Sequence, residues 1–175
     1  MKTLTMQLAN YAAYHRDRRN IATHFVGIPM IVLAVAVLLA RPAVAWQGWT
    51  LSPALVGAAL TTLYYLRLDL RYGLVMGALQ GLAVAAGHGL GAMATATWLS
   101  AGLGLFVLGW IIQFVGHAFE GRKPAFVDDL MGLVIGPLFV VAELGFALGL
   151  RREVAQAIEA QVGPVRGAAL QAAGR

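Results

Sequence analysis

Trp98-Leu-Ser-Ala-Gly-Leu-Gly-Leu-Phe-Val-Leu-Gly-Trp-Ile-Ile-Gln-Phe-Val-Gly-His-Ala-Phe119 contains no Asp, Glu, Lys or Arg. A bilayer core takes about 20 apolar residues as one helix. This stretch therefore predicts a membrane helix. Reading outward, four more apolar runs cover about Phe25–Ala40 (extending toward Trp46), Leu51–Leu68, Gly73–Ala94 and Leu130–Leu150. The first two are marginal in length. Trp46, Trp49 and Trp98 stand at segment ends, where amphipathic rings favour the interface. Leu4–Arg19 predicts a short helix on the membrane surface. The fold expected is all-α: an integral membrane bundle of four to five hydrophobic helices plus an N-terminal interfacial helix.

Composition agrees. Of the 175 residues, 59% are hydrophobic and 12% charged, against roughly 45–50% and about 25% in soluble domains. The reading is one membrane domain over 1–175, with an interfacial helix at 1–20, the bundle at 21–150 and an amphipathic, frayed tail at 151–175. Gly163-Pro164 should break the tail helix after about Gln161. Gly136-Pro137 lies near the middle of the fifth segment, which is expected to bend or to stop short of spanning. No cysteine is present, so disulfides and thiolate metal sites are excluded. The first apolar run begins only after Tyr14-His-Arg-Asp-Arg-Arg-Asn20, which argues against a cleavable signal.

The net charge of +5 is concentrated in the gaps between apolar runs, at Arg16–Arg19, Arg67–Arg71, Arg122–Lys123 and Arg151–Arg152. This reads as membrane orientation and not as nucleic-acid binding. A cytoplasmic N-terminus lets the first four segments obey the positive-inside rule. It places His15, Asn20 and His24 on the same membrane face as His117 and Glu120. A fully spanning fifth segment would break the rule mildly.

Ionisable groups at membrane depth are costly and are functional candidates by default. Tyr14-His15-x4-Asn20-x3-His24-x2-Gly27-x-Pro29 puts Asn20 and His24 on one helical face. His15 and His24 are about half a turn out of phase on a straight helix, so sharing an ion requires a break between them. Trp110-x2-Gln113-x2-Gly116-His117-x2-Glu120-x3-Pro124-Ala125 puts Gln113, His117 and Glu120 on one face by i, i+4, i+7 spacing. Imidazole suits zinc, iron, copper and nickel, and an adjacent carboxylate suits Fe(II) with open positions. Asn20 and Gln113 are candidates to orient the ligands.

Plainer readings compete at each position. His15 is a solvated residue, His24 an interfacial one, and His117 with Glu120 a hydrogen-bonded pair. His88 reads as a packing histidine bonded to a neighbouring helix. Glu143 reads as a partner for backbone freed by Pro137, and Asp128-Asp129 as a cap on the fifth helix. Two other functions fit parts of the pattern. One is a non-catalytic bundle stabilised by a metal. The other is a small proton- or ion-coupled transporter using His88 and Glu143. Motifs for zincins, serine hydrolases of the G-x-S-x-G type and P-loops are absent. Four histidines are too few for a histidine-rich di-iron desaturase. Ser52 and Ser100 fall on the membrane face opposite His15, His24 and His117.

The two motifs together resemble the membrane 2-hydroxy fatty acid dioxygenase family, long described as a domain of unknown function. That family is linked to fatty acid alpha-oxidation in phytosphingosine breakdown. The resemblance runs from about Tyr11 to Leu144. It implies an Fe(II)-dependent enzyme that uses O2 to cleave a long-chain 2-hydroxy fatty acid between C1 and C2, giving an acid one carbon shorter. The motif histidines match His15, His24 and His117, which the resemblance makes iron ligands and catalytic residues. Glu120 matches the motif glutamate less closely. Arg16, Arg122 and Lys123 are candidates to hold the substrate carboxylate, or serve only as orientation signals. The partners implied are the fatty acid, O2 and membrane lipid, with no nucleic acid. The metal site is expected on the cytoplasmic face, of the inner membrane in a bacterium or the endoplasmic reticulum in a eukaryote.

Overall fold

The apolar runs become helices, and the basic gaps become the connections. In this computed structural model, residues 2–166 are described. The order is α1 (Leu4–Ala12), α2 (Arg18–Ala40), a hairpin of β1 (Val44–Trp46) and β2 (Trp49–Leu51), α3 (Pro53–Leu68), α4 (Leu70–Gly91), α5 (Thr95–Glu120), a 3-10 turn (Ala125–Val127), α6 (Met131–Ala147) and α7 (Arg152–Val162). α2, α4 and α5 are each long and apolar enough to cross a membrane, and α6 with α7 would make a fourth span if counted as one broken helix. Only 22% of the most apolar window of α4 and of α5 is buried. Their exposed Leu74, Leu82, Leu103 and Phe114 need an apolar solvent. The fold is a membrane-type helical bundle.

Two expectations change. The N-terminal helix ends at Ala12 and not at Arg19, because residues 18–20 already belong to α2. The gap after the first segment is a tight β-hairpin, turned by Gln47 and Gly48, both at positive φ. Two successive residues of that kind match the twist of paired strands. Of the tail expected to be amphipathic and frayed over 151–175, residues 167–175 lie outside the described residues.

The chain groups into two units. One is Pro29–Trp110. There, α3 and α4 form an antiparallel pair across Asp69, whose side chain caps α4 by accepting from Tyr72 N–H at 3.0 Å. Gly73 lies so close to the backbone of Leu66 that a Cβ would sit 2.6 Å from its Cα. Near the other end of the pair, His88 Nε2 meets Ser52 Oγ at 2.9 Å. Trp98 Nε1–H donates to the Val37 carbonyl at 2.7 Å.

The other unit holds residues up to Ile28 and from Ile111 onward. Here α1 packs on α6 and α7. Gly136 admits Tyr11 and Ile28 against α6; a Cβ there would lie 2.9 Å from the Tyr11 hydroxyl. Asp129 Oδ1 caps the start of α6 by accepting from Met131 N–H at 2.9 Å. α6 has 17 residues, about 25 Å at 1.5 Å per residue. It meets α7 at 113°. Tyr14 donates to Asp128 before α6, and Arg16 donates to the Gly163 carbonyl after α7. α6 and α7 together thus begin and end near the connection between α1 and α2, and the pair is either one broken span or a re-entrant loop.

Candidate metal centre

The break that a shared ion requires lies at residues 13–17, between α1 and α2. It turns His15 back toward α2. His24 sits one turn beyond Asn20, and His117 sits in the last turn of α5. Gly116 makes room for α2, since a Cβ there would lie 2.6 Å from Asn20 Oδ1. The three imidazoles converge. Their ring centroids are 4.4 Å (His15–His24), 5.0 Å (His15–His117) and 5.2 Å (His24–His117) apart. One potential ligand atom from each lies within 4.8 Å of the others, the group among the described residues that could hold a metal. With side-chain adjustment, all three can reach one ion at the usual lengths of about 2.0–2.2 Å.

Each ring is aimed by backbone. His15 Nδ1 bonds the Tyr11 carbonyl at 2.7 Å, and His24 Nδ1 bonds the Asn20 carbonyl at 2.8 Å. A carbonyl only accepts, so both rings carry a proton on Nδ1 and leave Nε2 as a lone pair. His117 makes a backbone hydrogen bond at Arg122. Burial, and then the neighbouring His24, hold the His15 imidazole well below its ordinary pKa. It is therefore neutral at pH 7, the form that binds metals.

These rings are 0%, 1% and 7% exposed. Burying polar atoms without partners costs free energy, yet His15 Nε2, His117 Nδ1, Asn20 Oδ1 and Gln113 Oε1 are all buried with no hydrogen-bond partner. The residues present fit a metal. Two orphaned imidazole nitrogens are what a bound ion would satisfy. The two amide oxygens, both acceptors, suit water or a ligand's hydroxyl.

Glu120 is buried beside the cluster and outside it. Its Oε2 accepts from Arg16 N–H (3.0 Å), Asp17 N–H (2.8 Å) and Asn20 Nδ2–H (3.1 Å), while Oε1 pairs with Arg166. This carboxylate holds the chain break in shape. The three basic candidates also have protein partners. Arg16 donates to the carbonyls of His15 and Gly163, Arg122 to that of Ala13, and Lys123 pairs with Asp128 at 2.5 Å. Burial lowers the Arg16 pKa, opposed in part by the nearby carboxylates Glu143, Glu159 and Glu120.

Three residues were not singled out by the sequence. Tyr11 stacks on His15 with centroids 4.1 Å apart, and Phe139 packs on both at 5.0 and 5.6 Å. The i, i+4 spacing of Tyr11 and His15 was an available signal. Phe139 and Arg166 gave none, since contacts across more than 40 positions leave no local pattern.

The family model described as "2-hydroxy-palmitic acid dioxygenase Mpo1-like" matches residues 1–148. The chain is 34% identical over 158 residues to the 2-hydroxy-palmitic acid dioxygenase MPO1 of Saccharomyces cerevisiae, covering 89% of this chain and 87% of that protein. No solved structure matches it.

Proposed function

Because this chain belongs to the 2-hydroxy-palmitic acid dioxygenase Mpo1-like family, we propose that it is an Fe(II)-dependent dioxygenase of long-chain 2-hydroxy fatty acids. It cleaves the C1–C2 bond and yields a fatty acid one carbon shorter. One O2 balances the change with no further reductant: R–CH(OH)–COOH and O2 become R–COOH, CO2 and H2O. The observation that carries this reading is the buried trio His15, His24 and His117, with two ring nitrogens left without partners.

His15, His24 and His117 hold the iron. When bound, it supplies open positions for a bidentate 2-hydroxy carboxylate and for O2. The carbonyls of Tyr11 and Asn20 orient two of the rings. Asn20 Oδ1 and Gln113 Oε1 accept from the substrate hydroxyl or from water displaced as it enters. Glu120 acts through the loop it holds. Arg122 is exposed and gives one N–H to the Ala13 carbonyl; its other N–H groups are the proposed partners of the substrate carboxylate. Leu8, Ala12, Ile135, Leu138 and Phe139 are buried in the same unit and keep bulk water from the reacting carbons.

The protein is a multi-pass membrane protein with this site on the cytoplasmic face. Arg16, Arg18, Arg19, Arg122 and Lys123 flank the membrane ends of α2 and α5 that carry the histidines. A substrate with a polar head and an apolar tail suits that depth, its acyl chain lying against lipid-facing helices.

The test is anaerobic Fe(II) reconstitution of the detergent-purified protein, followed by O2 consumption with 2-hydroxypalmitate and mass analysis. Iron-dependent formation of the C15 acid, lost in His117→Ala, is the expected result. Iron binding without a shortened acid would reject the substrate. Absence of any bound metal would reject the reading.

A further inference from the structure

The chain returns at its far end to the loop that carries His15. Gly163 stops α7 at φ +82, and its carbonyl accepts from Arg16 Nη1 at 2.9 Å. Three residues on, Arg166 lies alongside Asp17 as an isolated parallel β-bridge. Its N–H donates to the Arg16 carbonyl at 2.6 Å, and its own carbonyl accepts from Arg18 N–H at 3.4 Å. Its guanidinium pairs with Glu120 Oε1. The family model's match ends at residue 148, so this strap lies beyond it.

The Glu120 side chain is 1% exposed, whereas that of Arg166 is 60% exposed. A buried carboxylate is stable only with full hydrogen bonding and a counter-charge. Arg166 supplies the ion pair, and the N–H groups of Arg16, Asp17 and Asn20 supply the rest. Through these bonds one carboxylate reaches all three histidines. Arg16 follows His15 directly. Asn20 turns the ring of His24 with its carbonyl. Glu120 itself stands one helical turn after His117. The metal-binding atoms are thus referenced to a single carboxylate, and that carboxylate is held by a residue from the tail.

We infer that Arg166 is a positioning residue of the metal centre: it locks the Glu120 carboxylate onto the 15–17 loop, so the C-terminal strap is part of the site. This rests on the metal reading above. Partners of this outer kind typically set metal affinity by about 10–100-fold, because ligand atoms must be held to within about 0.5 Å.

The test uses the full-length protein in detergent, with Co(II) as the probe and visible absorption as the readout. Arg166→Gln removes the charge, and Arg166→Lys keeps it. Folding is checked by circular dichroism. Arg166→Gln should bind Co(II) at least about tenfold more weakly and with altered d–d bands. Arg166→Lys should recover most of both. In the metal-free protein, the amides of Arg16 and Asp17 should exchange faster in Arg166→Gln. Wild-type affinity, spectrum and amide protection in that variant would overturn the strap's role and leave the metal reading standing. A wild-type protein that binds no Co(II) would overturn both.

Discussion

Tyr11 lies flat against His15, with ring planes 9° from parallel and centroids 4.1 Å apart. The same residue accepts the His15 Nδ1 proton on its carbonyl. One tyrosine therefore fixes both the tilt and the tautomer of a candidate ligand. Its own hydroxyl is buried, which raises its pKa well above the ordinary value. Tyr11→Ala should destabilise the protein by about 3–5 kcal/mol by opening a cavity, and should lower metal occupancy. Tyr11→Phe should keep metal occupancy near that of wild type. Thermal melting and metal analysis of the two variants check this.

His15→Ala, His24→Ala and His117→Ala should each reduce bound Fe(II) or Co(II) by at least about tenfold, since three ligands leave little redundancy. Elemental analysis after reconstitution and desalting reads the outcome. Retention of stoichiometric metal by any one variant would remove that residue from the ligand set.

His88 serves as the contrast. It bonds Ser52 Oγ, which also accepts from Leu55 N–H at the start of α3. His88→Ala should cost about 0.5–1.5 kcal/mol and leave metal content unchanged. Loss of metal in this variant would show that the ion is held elsewhere.

Glu120→Gln should weaken metal binding by about 10–100-fold without abolishing it, as expected of a residue that orients ligands. Glu120→Ala should also destabilise the fold by about 3 kcal/mol, because it strands the buried donors of Arg16 N–H and Asn20 Nδ2–H. Complete loss of metal in a folded Glu120→Gln protein, measured by Co(II) titration, would instead place Glu120 on the ion.

Two glycines of α5 should behave oppositely. At Gly116 a Cβ would lie 2.6 Å from Asn20 Oδ1, whereas at Gly104 nothing lies within 4 Å. Gly116→Ala should cost about 1–3 kcal/mol and impair metal binding by pushing α2 from α5. Gly104→Ala should be neutral or slightly stabilising. Melting temperatures and Co(II) affinities of the pair settle it.

Much of this was legible in the chain alone. Apolar runs too long for a soluble protein announced the helices, and basic residues marked their ends. The i, i+4, i+7 spacing put Gln113, His117 and Glu120 on one face of α5. The half-turn offset of His15 and His24 demanded a break, which stands at residues 13–17. Those features depend on local periodicity and on solvent preference, both written residue by residue. Tertiary structure alone decided that the three imidazoles meet, that Glu120 is consumed by the loop and by Arg166, and that α6 and α7 bring residue 166 back to residue 17. Apart from that of His15 with His24, these contacts join positions at least 46 residues apart. Their energies come from packing and from satisfying buried polar groups, which no stretch of sequence encodes by itself.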